Sequence, residues 1–179
     1  VGPNVSQDAE SLFWGGITSA TKIAIAGLTP GAGQGSMTAA TQTAVAALTA
    51  GLVDGVFAKV LYDESALGGY IKVTGTTVTA SNIAAECAKI FAAIPAENLN
   101  DTVSPTVIYA PRAWKQLCYN ANNAVGAAQQ INFQIDGNNF NTSRVFYNGI
   151  ELLFVPTPNN LMAYAQRKAA VSWNTDLTD

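Results

Sequence analysis

The residues TVIYAPRAW, at positions 106–114, decide the fold class. Residues 106–110 form a short apolar run rich in β-branched and aromatic side chains, which predicts a buried strand. Pro111 follows directly and suits the first turn of a helix, because its missing N–H would have no partner there. The next residues place apolar side chains on one side of a helix over 111–122: Trp114, Leu117, Cys118 and Ala121. The stretch therefore predicts a strand that passes into an amphipathic helix.

Two helices are predicted upstream of this stretch. Residues 80–94 carry the clearest helical pattern, which Thr79 or Ser81 can cap and Pro95 ends. Its apolar face consists of Ile83, Cys87, Ile90, Phe91 and Ile94. Residues 38–62 are also predicted to be helical, although two glycines weaken the middle. The apolar stripe of this second helix is Val45, Leu48, Leu52 and Val56, with Gly51 and Gly55 as the weak points.

Strands dominate the end of the chain. Four apolar runs predict strands at 145–147, 150–155, 161–166 and 169–173. Residues 68–78 alternate like a further strand or hairpin, between glycines typical of turns. Residues 120–143 are polar and rich in Asn and Gln, and we expect a long loop there. The mixture predicts an α+β fold, with a mixed sheet flanked by helices.

The N-terminal region differs in composition from the rest. Residues 1–37 are rich in Gly, Ser, Thr and Ala, and we expect them to be irregular. Residues 38–179 are expected to form one α+β domain. Gly31, Gly33 and Gly35 raise the question of a phosphate-binding loop, but the next lysine is Lys59. A Walker loop needs its lysine directly after the glycines, so we favour a plain turn.

Composition excludes several kinds of chemistry. The chain has 179 residues, a net charge of −3 and no histidine, which excludes His-based triads and His zinc sites. The two cysteines, Cys87 and Cys118, fall in predicted helices and are expected to be buried free thiols. We expect no enzyme activity, no catalytic, cofactor-binding or metal-ligating residue, no specific nucleic-acid site and no membrane span.

Charged residues make up only 12% of the chain, about half the usual share for a soluble domain. One interpretation is an uncharged but stable monomer. The other is that neighbouring subunits cover much of the surface, since the buried parts of interfaces are depleted in charge. The chain begins at Val1, which suggests either a removed leader or a piece of a longer protein.

The order of these motifs resembles the major capsid proteins of tailed bacteriophages, the family with the HK97-type fold. The resemblance is greatest to those encoded by phages and prophages of Bacteroidetes, and it covers roughly residues 79–179. It rests on four segments: the helix at 83–94, the junction at 107–114, FYNGIELLFVP at 146–156 and the run from 161 to 177.

This resemblance implies an axial domain with part of a peripheral domain, in a subunit that assembles with copies of itself into pentamers and hexamers. It implies no cofactor, other virion proteins as further partners, and a place in the capsid after assembly in the bacterial cytoplasm. Residues 122–139 would form a loop near a symmetry axis or on the outer face. The assembly or structural residues would be Pro111, Arg112, Trp114, Asn148, Gly149 and Pro156.

Two alternatives stay open at this point. The junction residues Pro111, Arg112 and Trp114 fit a plain core and helix-capping role equally well. The chain as a whole also fits another non-enzymatic assembly module, such as a phage tail component or a surface-layer or adhesin domain, because these too are rich in Asn, Thr and Gly.

Overall fold

The computed structural model describes residues 3–29, 39–67, 77–99, 102–125, 133–157 and 163–167. These ranges contain seven helices and five strands. The helices are α1 (Pro3–Gly15), α2 (Ser19–Ala26), α3 (Ala39–Ala46), α4 (Val56–Leu67), α5 (Ile83–Ala93), α6 (Ala96–Leu99) and α7 (Arg112–Val125). The strands are β1 (Thr106–Pro111), β2 (Phe133–Asp136), β3 (Arg144–Tyr147), β4 (Ile150–Val155) and β5 (Tyr164–Arg167).

The five strands form one mixed sheet in the order β2-β3-β4-β1-β5. β1 and β4 are parallel, with Ile108 opposite Leu152, and the other neighbouring pairs are antiparallel. Every residue of β1 is buried, because strands flank it on both sides and helices cover both faces. The predicted α+β class, with a mixed sheet flanked by helices, is confirmed.

Alternate residues of β1 contribute to different cores, since side chains alternate across a strand. Ile108 and Ala110 belong to a core with α5 and α7. Val107 and Tyr109 belong to a second core, on the opposite face, with Phe57 of α4 and Trp14 of α1. The sheet is therefore the middle layer between two sets of helices.

A third core lies among the N-terminal helices. Its buried members are Ile17, Ile25, Val45, Leu48, Ala58 and Leu61. The helix α4 contributes to two cores at once: Phe57 packs on the sheet, and the next residue, Ala58, packs towards α2 and α3. This shared helix connects the N-terminal helices to the sheet.

The structure differs from the irregular conformation expected for residues 1–37, because two helices occupy much of the segment. The side chain of Thr18 caps α2 by accepting a hydrogen bond from the backbone N–H of Thr21. Ile25 of α2 is fully buried in the third core. Tertiary packing stabilises helices that composition alone does not reveal. The glycines at 31–35 lie outside the described residues.

The helix predicted over 38–62 is two helices, α3 and α4, with a break between Ala46 and Val56. The apolar stripe is wrong at Leu52, which is 96% exposed because it lies in the break. The predicted helix at 80–94 is confirmed as α5, although its N-cap is Asn82 and not Thr79 or Ser81. Most of the strand or hairpin predicted over 68–78 lies outside the described residues.

The loop expected over 120–143 is shorter than predicted, since α7 continues to Val125 and β2 occupies Phe133–Asp136. Pro111 is also placed differently: it ends β1, opposite Val155, and the helix begins at the next residue. The apolar runs at 145–147 and 150–155 form β3 and β4, and β5 lies at the end of the third run. The run at 169–173 lies outside the described residues.

Candidate functional site

The strand-to-helix junction separates its three singled-out residues into different environments. Pro111 is buried at the end of β1. Trp114 belongs to the first turn of α7 and is buried in the core between α7 and the sheet. Arg112 lies at the surface, where its guanidinium group is 2.8 Å from the carboxylate of Glu10 in α1. Two of the three residues therefore have packing roles, and the third forms an exposed ion pair between two distant parts of the chain.

Asn148 and Gly149 form the two-residue turn between β3 and β4. Their φ angles are 47° and 82°, which is the pattern of a type I′ turn, and the flanking Tyr147 and Ile150 pair across the hairpin. A Cβ on Gly149 would meet nothing within 4 Å. The turn thus requires glycine for its backbone angle and not for space. Pro156 follows β4 directly.

The connection between β2 and β3 is fastened to α7. The Nζ atom of Lys115 donates to the carbonyl of Ser143 at 2.9 Å and lies 5.2 Å from the centre of the Phe140 ring. One turn later on α7, the hydroxyl of Tyr119 bonds the Ser143 hydroxyl, and its ring meets Phe140 edge-on. No sequence motif predicts this contact, although the spacing of Lys115 and Tyr119 puts both on one side of the helix.

Two exposed apolar side chains lie at the break between α3 and α4. Leu52 is 96% exposed and Val53 is 50% exposed. Leu12 of α1 is 45% exposed and lies beside Gly51, the residue before Leu52, since a Cβ on Gly51 would lie 3.8 Å from the Cδ2 atom of Leu12. We call Leu12, Leu52 and Val53 the loop patch. Contiguous exposed apolar side chains mark interaction surfaces more often than single ones do.

Backbone hydrogen bonds hold the loop that carries this patch at both of its ends. The N–H of Gly51 donates to the carbonyl of Ile17 at 2.7 Å, and the N–H of Gly55 donates to the carbonyl of Gly16 at 2.8 Å. The side chain of Lys22 donates to the carbonyl of Leu48 just before the loop. The backbone of Leu52 and Val53 is therefore held on both sides by the hydrogen bonds of Gly51 and Gly55.

The carboxylate of Asp54 adds a side-chain anchor next to the patch. It accepts from the backbone N–H of Thr18 at 2.7 Å, from the hydroxyl of Thr21 at 2.6 Å and from the hydroxyl of Thr18 at 3.2 Å. Partial burial raises the pKa of Asp54, but the hydrogen bonds from both threonines and the charge of Lys59 outweigh it and lower the pKa. The ionised form of the Asp54 carboxyl is therefore stabilised by Thr18 and Thr21, which lie at the N-terminus of α2.

The loop also depends on a close backbone crossing. A Cβ on Gly55 would lie 2.6 Å from the carbonyl oxygen of Phe13, 2.7 Å from that of Leu12 and 2.9 Å from the N atom of Gly16. All three atoms belong to the backbone and cannot rotate away. Only glycine fits at this crossing.

The apolar stripe predicted for residues 38–62 includes Leu52, so the helical pattern does not predict the loop patch. A usable signal was present, because residues 39–53 contain no charged side chain and include Gly51 next to Leu52. An apolar residue beside a helix-breaking glycine is poorly placed to continue a helical stripe.

The two cysteines are free and buried, as predicted, and both lie in the core between the sheet and α5 and α7. Burial, with a smaller effect from Glu86, raises the pKa of Cys87 to about 12. Burial, followed by the neighbouring Cys87, raises the pKa of Cys118 as well. Both thiols are therefore protonated and unreactive at neutral pH.

Among the described residues, no three acidic or cysteine side chains come together in a group that could hold a metal ion. None of the helices in the described ranges has the length and hydropathy needed to cross a bilayer. Comparisons with protein-family models, with curated proteins and with solved structures found no match for this chain.

Proposed function

We propose that this chain is a structural subunit of a phage-type capsid shell, which assembles with copies of itself into five- and six-membered rings in the bacterial cytoplasm. The observation that carries an assembly function is the loop patch, where an anchored backbone presents Leu52, Val53 and Leu12 to solvent. Hydrophobic burial is the main favourable term in protein association, so such a surface favours contact with another protein.

The more specific proposal of a capsid subunit rests on the resemblance of residues 79–179 to phage capsid proteins. The described elements are compatible with the order on which that resemblance depends. A helix, α5, precedes the buried strand β1, which leads into α7 and then into the strands β2, β3, β4 and β5. The sheet is mixed and has helices on both faces.

The charge distribution supports assembly of identical copies. The chain has only 9 basic and 12 acidic residues, so two copies repel each other weakly. In the described part of the chain, six charged side chains form ion pairs within the subunit: Glu86 with Lys89, Glu10 with Arg112 and Glu151 with Arg144. The surface is therefore suited to contacts that apolar and hydrogen-bonding groups dominate.

The test is to purify the 179-residue chain and follow its mass by light scattering over a range of concentrations, with negative-stain electron microscopy of the same samples. We expect rings or shells at high concentration that dissociate on dilution. Because the proposed contacts are mainly apolar, raising the salt concentration should not dissolve them. A monomer at every concentration and salt level would contradict the proposal.

A further inference from the structure

We propose that Asn148 is a site of spontaneous covalent modification, at which the side-chain amide is lost through a cyclic imide and is replaced by aspartate or isoaspartate. The reaction needs only this chain and water, so it goes beyond the proposed function and does not depend on assembly. The fold leaves the reacting groups open at the β3–β4 turn and closes the equivalent position at Asp54.

The reaction joins two neighbouring groups of the chain. The backbone nitrogen of Gly149 gives its proton to hydroxide and attacks Cγ of Asn148. The N–Cγ bond forms, the Cγ–Nδ2 bond breaks, and Nδ2 takes a proton from water and leaves as ammonia. Water then opens the five-membered imide, at Cγ to give aspartate or at the main-chain carbonyl carbon to give isoaspartate. Because both groups belong to one dipeptide, their effective concentration is high and no catalyst is needed.

The glycine that follows Asn148 leaves the attacking nitrogen unobstructed. Asn148 is the only asparagine in the sequence that is followed by glycine. A side chain at the next position would crowd the ring as it closes, whereas glycine has none and restricts backbone rotation least. A Cβ on Gly149 would meet no atom within 4 Å, so the surroundings also leave room for the imide.

Both reacting groups are accessible in the folded protein. Asn148 and Gly149 are exposed, and neither the side-chain amide of Asn148 nor the N–H of Gly149 bonds to another described residue. Tyr147 and Ile150 form the pair that closes the turn. Ring closure rotates the peptide between Asn148 and Gly149, which the paired strands resist, so we expect a slower reaction than in the unfolded chain.

Asp54 and Gly55 form the contrasting position, because the fold engages both of the groups that would react there. Gly55 is buried, and its N–H donates to the carbonyl of Gly16 at 2.8 Å. The side chain of Asp54 accepts hydrogen bonds from Thr18 at 2.7 Å and from Thr21 at 2.6 Å. The nitrogen of Gly55 reaches the side chain of residue 54 only if this loop opens. Asp54→Asn therefore places an amide before a glycine that is not free to attack.

Isoaspartate would change the turn itself. It carries the main chain through Cβ and Cγ, which adds one atom to the backbone between Tyr147 and Ile150. A two-residue type I′ turn depends on the dihedral angles of its two central residues, so the longer backbone no longer fits. We expect the isoaspartate form to unfold at a lower temperature than the Asn148→Asp variant, which has the same charge and a normal backbone.

The experiment incubates wild type and Asp54→Asn in mildly alkaline buffer, each with and without concentrated urea, and follows the loss of the side-chain amide by mass spectrometry. Replacing the amide by a carboxyl raises the mass of a peptide by about 1 Da. Trypsin separates the two positions into the peptides 145–167 and 23–59, and fragmentation locates the change within each. Circular dichroism shows whether Asp54→Asn is folded in the absence of urea.

Without urea, we expect the amide at Asn148 to be lost at least about tenfold faster than the amide at position 54 of Asp54→Asn, because only the second reaction requires the loop to open. In urea the two rates should become similar. Equal rates at the two positions in the folded variant would overturn the inference. So would an amide at Asn148 that persists in the folded protein while it is lost in urea.

If Asp54→Asn does not fold, the reference becomes Asn141 of the wild type, which is exposed and precedes Thr142. Loss of the amide at Asn148 but not at Asn141 would support the inference, and equal loss at both would overturn it.

Discussion

Two connections in this molecule are built in opposite ways. The β3–β4 turn consists of Asn148 and Gly149, and the φ angles of these two residues are enough to define it. The loop at 51–55 is defined by groups more than 30 residues away, including the carbonyl of Gly16 and the amide and hydroxyl of Thr18. A Cβ would meet no atom at Gly149, but it would meet three backbone atoms at Gly55.

Glycine therefore has a different role in each connection, and the residues that specify the conformation are neighbours in one case and distant in the other. At the β3–β4 turn, glycine supplies a backbone angle, and neighbouring residues specify the structure. At the 51–55 loop, glycine supplies space for another part of the backbone to pass. The first connection only reverses the chain, whereas the second connects α1, α2 and α4 and presents exposed apolar side chains.

The largest expected effect comes from closing the backbone crossing. We expect Gly55→Ala to lower the free energy of unfolding by about 3 kcal/mol, because the new Cβ would overlap the backbone of residues 12, 13 and 16. Urea denaturation followed by circular dichroism measures this change. A loss below that of Gly149→Ala would show that the crossing can relax and that the two connections are less different than the structure indicates.

The Asp54 anchor should have the next largest effect. Asp54→Asn removes a charged acceptor from three hydrogen bonds, and we expect a loss of about 1.5 kcal/mol at neutral pH because the group is only partly buried. The folded state lowers the pKa of Asp54 below its ordinary value of 3.8. The contribution of Asp54 to the free energy of unfolding is therefore fully present above pH 3.8. It is lost as the pH falls through the lower pKa that Asp54 has in the folded protein.

The matching measurement is urea denaturation of the wild type and Asp54→Asn at pH 7 and at several values below pH 4. The difference between the two proteins should shrink as the pH falls. A difference that stays constant would show that the carboxylate charge does not anchor the loop.

Substitutions in the β3–β4 turn should lower the stability less than those at the 51–55 loop. We expect Gly149→Ala to cost about 1 kcal/mol, since alanine tolerates a positive φ poorly but has free space around its methyl group. Asn148→Ala tests the same angle at the neighbouring position, where φ is 47°. Thermal unfolding of both variants gives the comparison, and losses as large as that of Gly55→Ala would imply contacts that the turn does not show.

The smallest effect is expected at the ion pair that connects the two halves of the chain. Arg112→Ala removes the contact with Glu10, and we expect a change below about 0.5 kcal/mol because both side chains are about half exposed. The Glu10→Ala variant should behave alike, and the double variant should show little coupling. A coupling energy well above this value would mean that the ion pair holds α1 to α7 more firmly than its exposure indicates.

Sequence alone determined the parts of this protein where neighbouring residues specify the structure. The run at 106–110, the helix around Ile83 and Cys87, and the strands on either side of Asn148-Gly149 were predictable, because the periodicity of apolar residues and the geometry of turns act within a few positions. The burial of both cysteines followed from the same helical pattern.

Only the tertiary structure decided the N-terminal helices and the candidate site. Ile25 is buried by residues of α3 and α4, and Leu52 is exposed because the chain bends between Gly51 and Gly55 to meet residues 16–18. No local pattern encodes which distant carbonyl or hydroxyl a residue will meet. The loop patch arises from contacts between α1, α2 and the start of α4, and such contacts exist only once the chain has folded.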